Sequence, residues 1–455
     1  MPIEEIVSIQ RSFFEKGETK ELEFRRLALK KLGMEIRLKE ESIRQALYED
    51  LGKADMEAFM SEIGLVQQEL AFIARRLPWW MADKRVRTPI AHFKSHSFIR
   101  PEPYGVALIM SPWNYPFLLS MEPLIGAVAA GNCVVLKPSA YAPATSAVLR
   151  ELIESCFAAK HVCVVEGGRE ENAALLEQRF DYIFFTGSTE VGRLVMEKAA
   201  RNLTPISLEL GGKSPCIVDE TANLSVAGRR IAFGKFLNAG QTCVAPDYLL
   251  VQESVQEELL NEIQNAVLEF FGDDPLLNPE LPKIINRKHF ERLSGLLQSG
   301  RVYMGGKHDG ECRIAPTVLT MVKETDAVMQ EEIFGPILPA MTFQKLDDAI
   351  SFVNSREKPL ALYLFSTNKE AQEKVLTACS FGGGCINDTV VHLATSHMGF
   401  GGVGNSGMGS YHGKRSFDTF SHEKSILSKS NWPDLNIRYH PYSKMKEKLL
   451  RMVMK

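Results

Sequence analysis

Tyr104-Gly105-Val106-Ala107-Leu108-Ile109-Met110 is an apolar run that opens at a glycine and is stopped by Ser111-Pro112. A strand buried on both faces has no polar side to alternate with, so such a run reads as an interior strand of a parallel sheet. The next hundred residues repeat the theme. An apolar helix is expected over 118–130, ended by Gly131-Asn132, then a strand over 133–137 stopped by Pro138, a helix over 143–158 and a strand over 162–165. Gly167-Gly168 and a further helix precede a strand over 181–185, a helix over 189–200 and a strand over 205–210. Strands alternating with helices over short connections predict an α/β fold with a Rossmann-like, doubly wound parallel sheet whose ligands lie at the carboxyl ends of the strands.

A second alternating region runs from Gly212 to about 390, with strands over 248–251, 337–343 and 361–365 and helices over 253–270 and 345–356. Ahead of the first sheet, residues 2 to about 80 read as helices, with Leu22, Leu27, Leu29, Leu32 and Ile36 forming a packing face and no chemistry in view. Residues 83–103 change character, with prolines at 89, 101 and 103 and alternation through His96-Ser97-Phe98-Ile99-Arg100, which predicts an extended arm leaving the main body, either a loop or a strand for pairing with another subunit. The glycine-rich segment 400–409 reads as a tightly packed loop, and 431–455 as a basic, weakly amphipathic tail that is solvated or touches an anionic membrane surface only weakly.

Composition bounds the function. The 455 residues have room for two sizeable domains, and a net charge of −3 gives no reason to expect nucleic acid as a partner. Met1-Pro2-Ile3-Glu4-Glu5 has no basic region leading into an apolar one, so no secretory signal is expected, and no apolar run is long enough to span a membrane. The eight cysteines include no C-x-x-C pair and no histidine at metal-ligand spacing, so reduced thiols in a cytoplasmic protein are expected and a metal is not.

Two short stretches carry chemistry. In Asn238-Ala239-Gly240-Gln241-Thr242-Cys243-Val244-Ala245 a cysteine follows a glycine and small polar residues at the end of a helix. In Ser207-Leu208-Glu209-Leu210-Gly211-Gly212-Lys213 a single carboxylate interrupts a strand-like run. A thiolate can attack a carbonyl carbon and hold it covalently, and a carboxylate can activate the water that later cleaves the thioester. Phe185-Thr186-Gly187-Ser188-Thr189-Glu190-Val191-Gly192, between a strand and a helix, could admit a pyrophosphate to the helix N-terminus, although it is not a G-x-G-x-x-G motif.

Together with Pro112-Trp113-Asn114-Tyr115-Pro116, Lys137-Pro138-Ser139 and Glu332-Ile333-Phe334-Gly335-Pro336, these stretches fall in the order and spacing of the NAD(P)-dependent aldehyde dehydrogenase superfamily, which the chain resembles over essentially its whole length. The segment 400–420, with Tyr411-His412-Gly413-Lys414, resembles the class 3 branch, which acts on medium- and long-chain aliphatic and aromatic aldehydes and is typically dimeric. The resemblance implies an NAD(P)-binding domain over 1–82 and 104–209, a catalytic domain over 210–390, bridging and oligomerisation segments over 83–103 and 391–430, and a C-terminal tail over 431–455. Some members continue into a hydrophobic membrane tail; this chain stops before one, which implies a soluble enzyme.

The implied chemistry is specific. Cys243 attacks the aldehyde, the Asn114 amide and the Cys243 backbone N–H hold the oxyanion, hydride passes to NAD or NADP, and water activated by Glu209 releases the acid. Lys137 is implied on the adenosine ribose, Gly187, Ser188, Thr189, Val191 and Gly192 at the pyrophosphate turn, Glu332 and Phe334 at the nicotinamide ribose, and Trp113 and Leu210 along the cofactor site. His392, His397 and His412 border the substrate mouth or serve packing.

Two departures matter. Ala140 stands where the family usually has a glutamate, which predicts weakened NAD preference and access for NADP. Gly399 in Met398-Gly399-Phe400 stands where relatives commonly have proline, which predicts a more flexible pocket loop. Two rival readings remain. A CoA-acylating semialdehyde dehydrogenase is disfavoured by Glu209, and a non-catalytic protein retaining the fold is disfavoured by intact Cys243, Glu209 and Asn114.

Overall fold

The computed structural model describes residues 1–454. Its first sheet has six strands in the order Gly407–Met408, Ile206–Glu209, Tyr182–Thr186, Val106–Met110, Cys133–Lys137, Val162–Val164, all parallel except the first. Alternate residues of one strand feed different cores. Ala107 and Ile109 pack with the helices Leu22–Leu38, Gly64–Met81 and Leu118–Ala130, while Val106, Leu108 and Met110 pack with Ile6 and Phe13 of the first helix and with Val195. Burial on both faces is why these strands read as continuous apolar runs.

Register aligns the strand ends that matter. Met110 pairs with Lys137 and with Phe185, and Thr186 pairs with Glu209, so the loops after these strands open along one edge of the sheet. The second sheet has seven strands in the order Arg301–Met304, Thr317–Thr320, Ile337–Phe343, Tyr248–Gln252, Pro215–Val218, Ala361–Phe365, Gly383–Ile386, antiparallel only at Arg301–Met304.

The extended arm is a strand, Ser95–Pro103, paired along its full length with Ser421–Lys429 of the same chain, with Lys84–Val86 on its other side. Its partner within the chain is a segment that sequence patterning did not single out. The glycine-rich segment is also more regular than expected, because Gly407–Met408 adds to the first sheet as an antiparallel edge beside Leu208 and Glu209. Leu27 faces solvent, whereas Leu29, Leu32 and Ile36 are buried. In the tail, Lys444–Val453 is an exposed helix, and Lys455 lies outside the described residues. Among the described residues no helix is long and apolar enough to cross a membrane, and no group of His, Cys, Asp and Glu is arranged to hold a metal ion.

Candidate active site

The helix Leu224–Phe236 delivers the chain to a tight turn at Leu237–Gly240, after which Cys243 follows. Asn238, Ala239 and Gly240 all have left-handed backbone, at φ 52°, 51° and 72°. For the two residues with a Cβ this costs on the order of 1 kcal/mol each, so surrounding contacts must hold the turn. They come from Gly335, whose carbonyl would overlap a Cβ at position 240. The cysteine turn and the Glu332–Pro336 turn are therefore packed backbone against backbone. The second turn is fixed in its own right: Asp247 accepts from Ile333 N at 2.9 Å, and Lys213 Nζ bonds Asp247, Val328 O and Glu331 O.

Cys243 is half-buried and lies on the wall between two cavities. On one side is an apolar cavity of about 160 Å³ lined by Leu65, Leu118, Leu119, Phe233, Val391 and Phe400, among others. On the other is a cleft lined by Trp113, Asn114, Glu209, Leu210, Glu332 and Phe334. That cleft continues past Gly187 and Ser188 into a space bounded by Lys137, Ala140, Val191, Arg169 and Lys288. Most of the residues singled out in the sequence thus line one continuous groove ending at the thiol. Thr189 and Gly192 sit beneath it instead: the Thr189 hydroxyl donates to Asn405 O at 3.2 Å, and Gly192 seats the Leu210 side chain.

Burial pushes the Cys243 thiol up, and the nearby Glu332 and Glu209 carboxylates add to it, while the backbone N–H groups of Cys243 and Val244 favour the anion. Burial alone holds the Glu209 carboxyl well above the usual carboxylate range, and both of its oxygens are buried without a hydrogen-bond partner. The Asn114 amide donates to Gln241 O at 3.0 Å, which orients it and leaves its second N–H free.

Other polar groups suit a dinucleotide. Lys137 Nζ donates to Pro138 O at 2.8 Å and Gly167 O at 2.7 Å, with a third hydrogen available. Ser188 caps the helix Thr189–Ala200 through Val191 N, which directs that helix's N-terminus at the groove. Glu332 is raised to about 8 by burial and then by Asp247, and its Oε1 has no partner. It lies against Gly211, where any Cβ would overlap the carboxylate. An orphaned buried acid, an orphaned Thr186 hydroxyl and an unblocked glycine turn fit a ribose and pyrophosphate.

Of the three histidines, only His412 borders the apolar cavity, with Nε2 at 3.2 Å from Glu122 Oε2. Burial opposes its charge, but Glu122 and then Glu69 outweigh that and raise its pKa. His392 lies 3.6 Å from Cys385 Sγ and is lowered to about 4 by burial, and His397 packs edge-on against Phe72. The loop at Gly399 is fixed just beyond it by mutual backbone bonds of 2.9 Å between Phe400 and Tyr411, both of which line the cavity.

Sequence reasoning missed the helix Arg287–Leu296, which brings Lys288, His289 and Arg292 to the groove, with His289 5.1 Å from Trp113 between ring centroids. Its signal was Asn286, whose side chain accepts from His289 N as a helix cap.

A parallel sheet opening a groove at its carboxyl edge, with a thiol and a carboxylate at the groove's end, is the arrangement of a nucleotide-binding α/β enzyme. The profile of the Aldehyde dehydrogenase family matches residues 2–426, and the chain belongs to that family. It is 50% identical over 435 residues to the 4,4'-diaponeurosporen-aldehyde dehydrogenase of Staphylococcus aureus, covering 95% of each chain. It is 48% identical to aldehyde dehydrogenase family 3 member B1 of Homo sapiens, covering 100% of this chain and 97% of that one. Among solved structures, the substrate-bound state of Staphylococcus aureus AldH superposes with a TM-score of 0.98 at 48% identity over the whole of both chains. An indole-3-acetaldehyde dehydrogenase complexed with NAD+ gives 0.86 at 26% identity, over 94% of this chain and 89% of the other. The chain is a class 3-like enzyme that oxidises aldehydes to carboxylic acids with NAD or NADP.

Proposed function

We propose that Cys243 is the nucleophile, Asn114 the oxyanion donor and Glu209 the base for hydrolysis, and that the substrates are medium- or long-chain aliphatic and aromatic aldehydes. The observation that carries this is the position of the thiol between an apolar cavity and a dinucleotide groove, beside an unpartnered carboxylate.

As the thiolate, Cys243 Sγ adds to the carbonyl carbon while the C=O π bond breaks, and the negative charge moves from sulfur to the carbonyl oxygen. The free Asn114 N–H and the Cys243 backbone N–H stabilise that oxyanion. A bound NAD(P)+ would supply the hydride acceptor that oxidation of the Cys243 thiohemiacetal to the thioester needs. Glu332 would hold the ribose next to it, with Lys137 and Ser188 further along the groove. Glu209 then takes a proton from water, which attacks the thioester carbonyl and regenerates the thiol as the acid leaves. Removing the amide in Asn114→Ala is expected to lower kcat by about a hundredfold, with dinucleotide affinity unchanged. Steady-state kinetics alongside a dinucleotide titration checks both.

The cavity size supports the substrate class. An engineered apolar cavity of about 150 Å³ takes a benzene ring, so the present one suits an aromatic ring or the first carbons of an alkyl chain. At about 0.8 kcal/mol per buried CH2, hexanal should exceed acetaldehyde by about two orders of magnitude in kcat/KM. Equal values across an aldehyde panel would remove the assignment.

NADP is accepted alongside NAD in this reading, because position 140 carries no carboxylate and Arg169, Lys137 and Lys288 line that end of the groove. Ala140→Glu should lower kcat/KM for NADP relative to NAD by at least about tenfold through like-charge repulsion. An unchanged ratio would show that position 140 does not discriminate. The working unit is a cytoplasmic homodimer joined through the three-stranded sheet, a reading supported by exposed Phe93, Ile426 and Leu427 and by eight free cysteines. Light scattering and cell fractionation test the two parts.

A further inference from the structure

The N-terminal helices hold charges that packing does not require. The helix Glu40–Leu51 ends at Gly52, and Asp55–Ala58 runs into a π-helical turn at Phe59–Ile63, closed by Gly64 N–H on Phe59 O five residues back. One extra residue in a turn rotates the rest of the helix by about 100°, and such widened turns are frequent at functional sites. Here Glu62, within the turn, points inward, where it meets Lys53.

Lys53 and Glu62 are fully buried, with Nζ 2.5 Å from Oε1. Two apolar residues of similar size would pack the same space without removing charges from water. The remaining bonds of the pair all run to one loop. Lys53 Nζ donates to Asn114 O at 3.1 Å, and Glu62 Oε2 accepts from Phe117 N at 2.9 Å and Leu118 N at 3.1 Å. Lys53 Nζ also lies 3.9 Å from the Tyr115 ring centre, and the Tyr115 hydroxyl meets Thr242 Oγ1 at 2.7 Å.

The other side of this network is the cysteine turn. Asn238 Nδ2 donates to Asn114 O at 2.7 Å, and Asn238 N donates to Glu57 Oε1 at 2.8 Å. The Asn114 carbonyl is therefore where the buried pair meets the cysteine turn, beside the direct bonds of the Asn114 amide to Gln241 O and of the Tyr115 hydroxyl to Thr242.

We propose that Lys53 and Glu62 are positioning residues for aldehyde oxidation, a buried pair that sets the Asn114 amide against the Cys243 thiol. This rests on the roles proposed above for Asn114 and Cys243. Neither residue touches substrate; their effect passes through the Asn114 backbone, and misplacement by about 1 Å can lower a rate by about a hundredfold.

The test is Lys53→Met, with Lys53→Met/Glu62→Gln as the variant that leaves no unpaired buried charge. In both, kcat and the pre-steady-state burst rate should fall by at least about tenfold, while the dinucleotide Kd and the aldehyde KM stay within about twofold. A folded variant, single or double, with parental kcat overturns the proposal, as does a loss of dinucleotide affinity that accounts for the whole effect. Asn114→Ala and Cys243→Ala in the same assays separate the two levels. If those lose turnover and the Lys53 variants do not, only the positioning role falls; if those keep turnover, the underlying reading falls.

Discussion

Cys243→Ala should lower aldehyde oxidation by about ten-thousandfold or more, because the variant retains the groove and the oxyanion donors but no atom that can form the acyl bond. The substitution is structurally mild. The side chain is half-buried, alanine keeps the Cβ, and the strained turn before it is held by Gly335 and the Asn238 and Gln241 bonds rather than by sulfur. Thermal stability should therefore shift by no more than about 1 kcal/mol, and the dinucleotide should still bind. Initial rates of cofactor reduction, measured on protein shown to be folded, check the loss; parental turnover would end the nucleophile assignment.

Parts of this architecture were legible because local rules and global packing agree. The strands Val106–Met110 and Cys133–Lys137 are buried on both faces, so composition alone marked them, and Gly131 ended the helix Leu118–Ala130 where its left-handed φ of 95° requires it. The reactive turn was visible for a related reason: small residues ahead of a cysteine have little value in a core. The features that local patterning does not carry depend on distant partners. Ser95–Pro103 reads as extended, but nothing local says that residues 421–429 will pair with it. Lys53 and Glu62 look like two more charges in a helical region rich in Lys and Glu, and only the π-helical turn and the 114–118 loop make them interior. Lys288, His289 and Arg292 were hidden in the same way, because a cationic helix face in the sequence carries no mark of the groove it borders.

In Glu209→Gln the first turnover should survive while the steady rate falls by about a thousandfold. The replacement has nearly the same shape, and both carboxylate oxygens are already without partners, so no existing bond is broken. The variant loses only the ability to take a proton from water. Acyl-enzyme should then accumulate, seen as a burst of reduced cofactor matching the active-site concentration, followed by a slow phase. Hydroxylamine, which attacks a thioester without a base, should restore turnover and yield the hydroxamate. The parent supplies a second signature. Burial holds the Glu209 carboxyl well above its ordinary range, so the basic form is gained as pH rises, and a hydrolysis-limited kcat should climb with pH through that elevated pKa. In Glu209→Gln that limb should flatten. An unchanged steady rate, or a pH limb that persists in the variant, would move the water-activating role to another group, and no other acid near the thiol is both buried and free on both oxygens among the described residues.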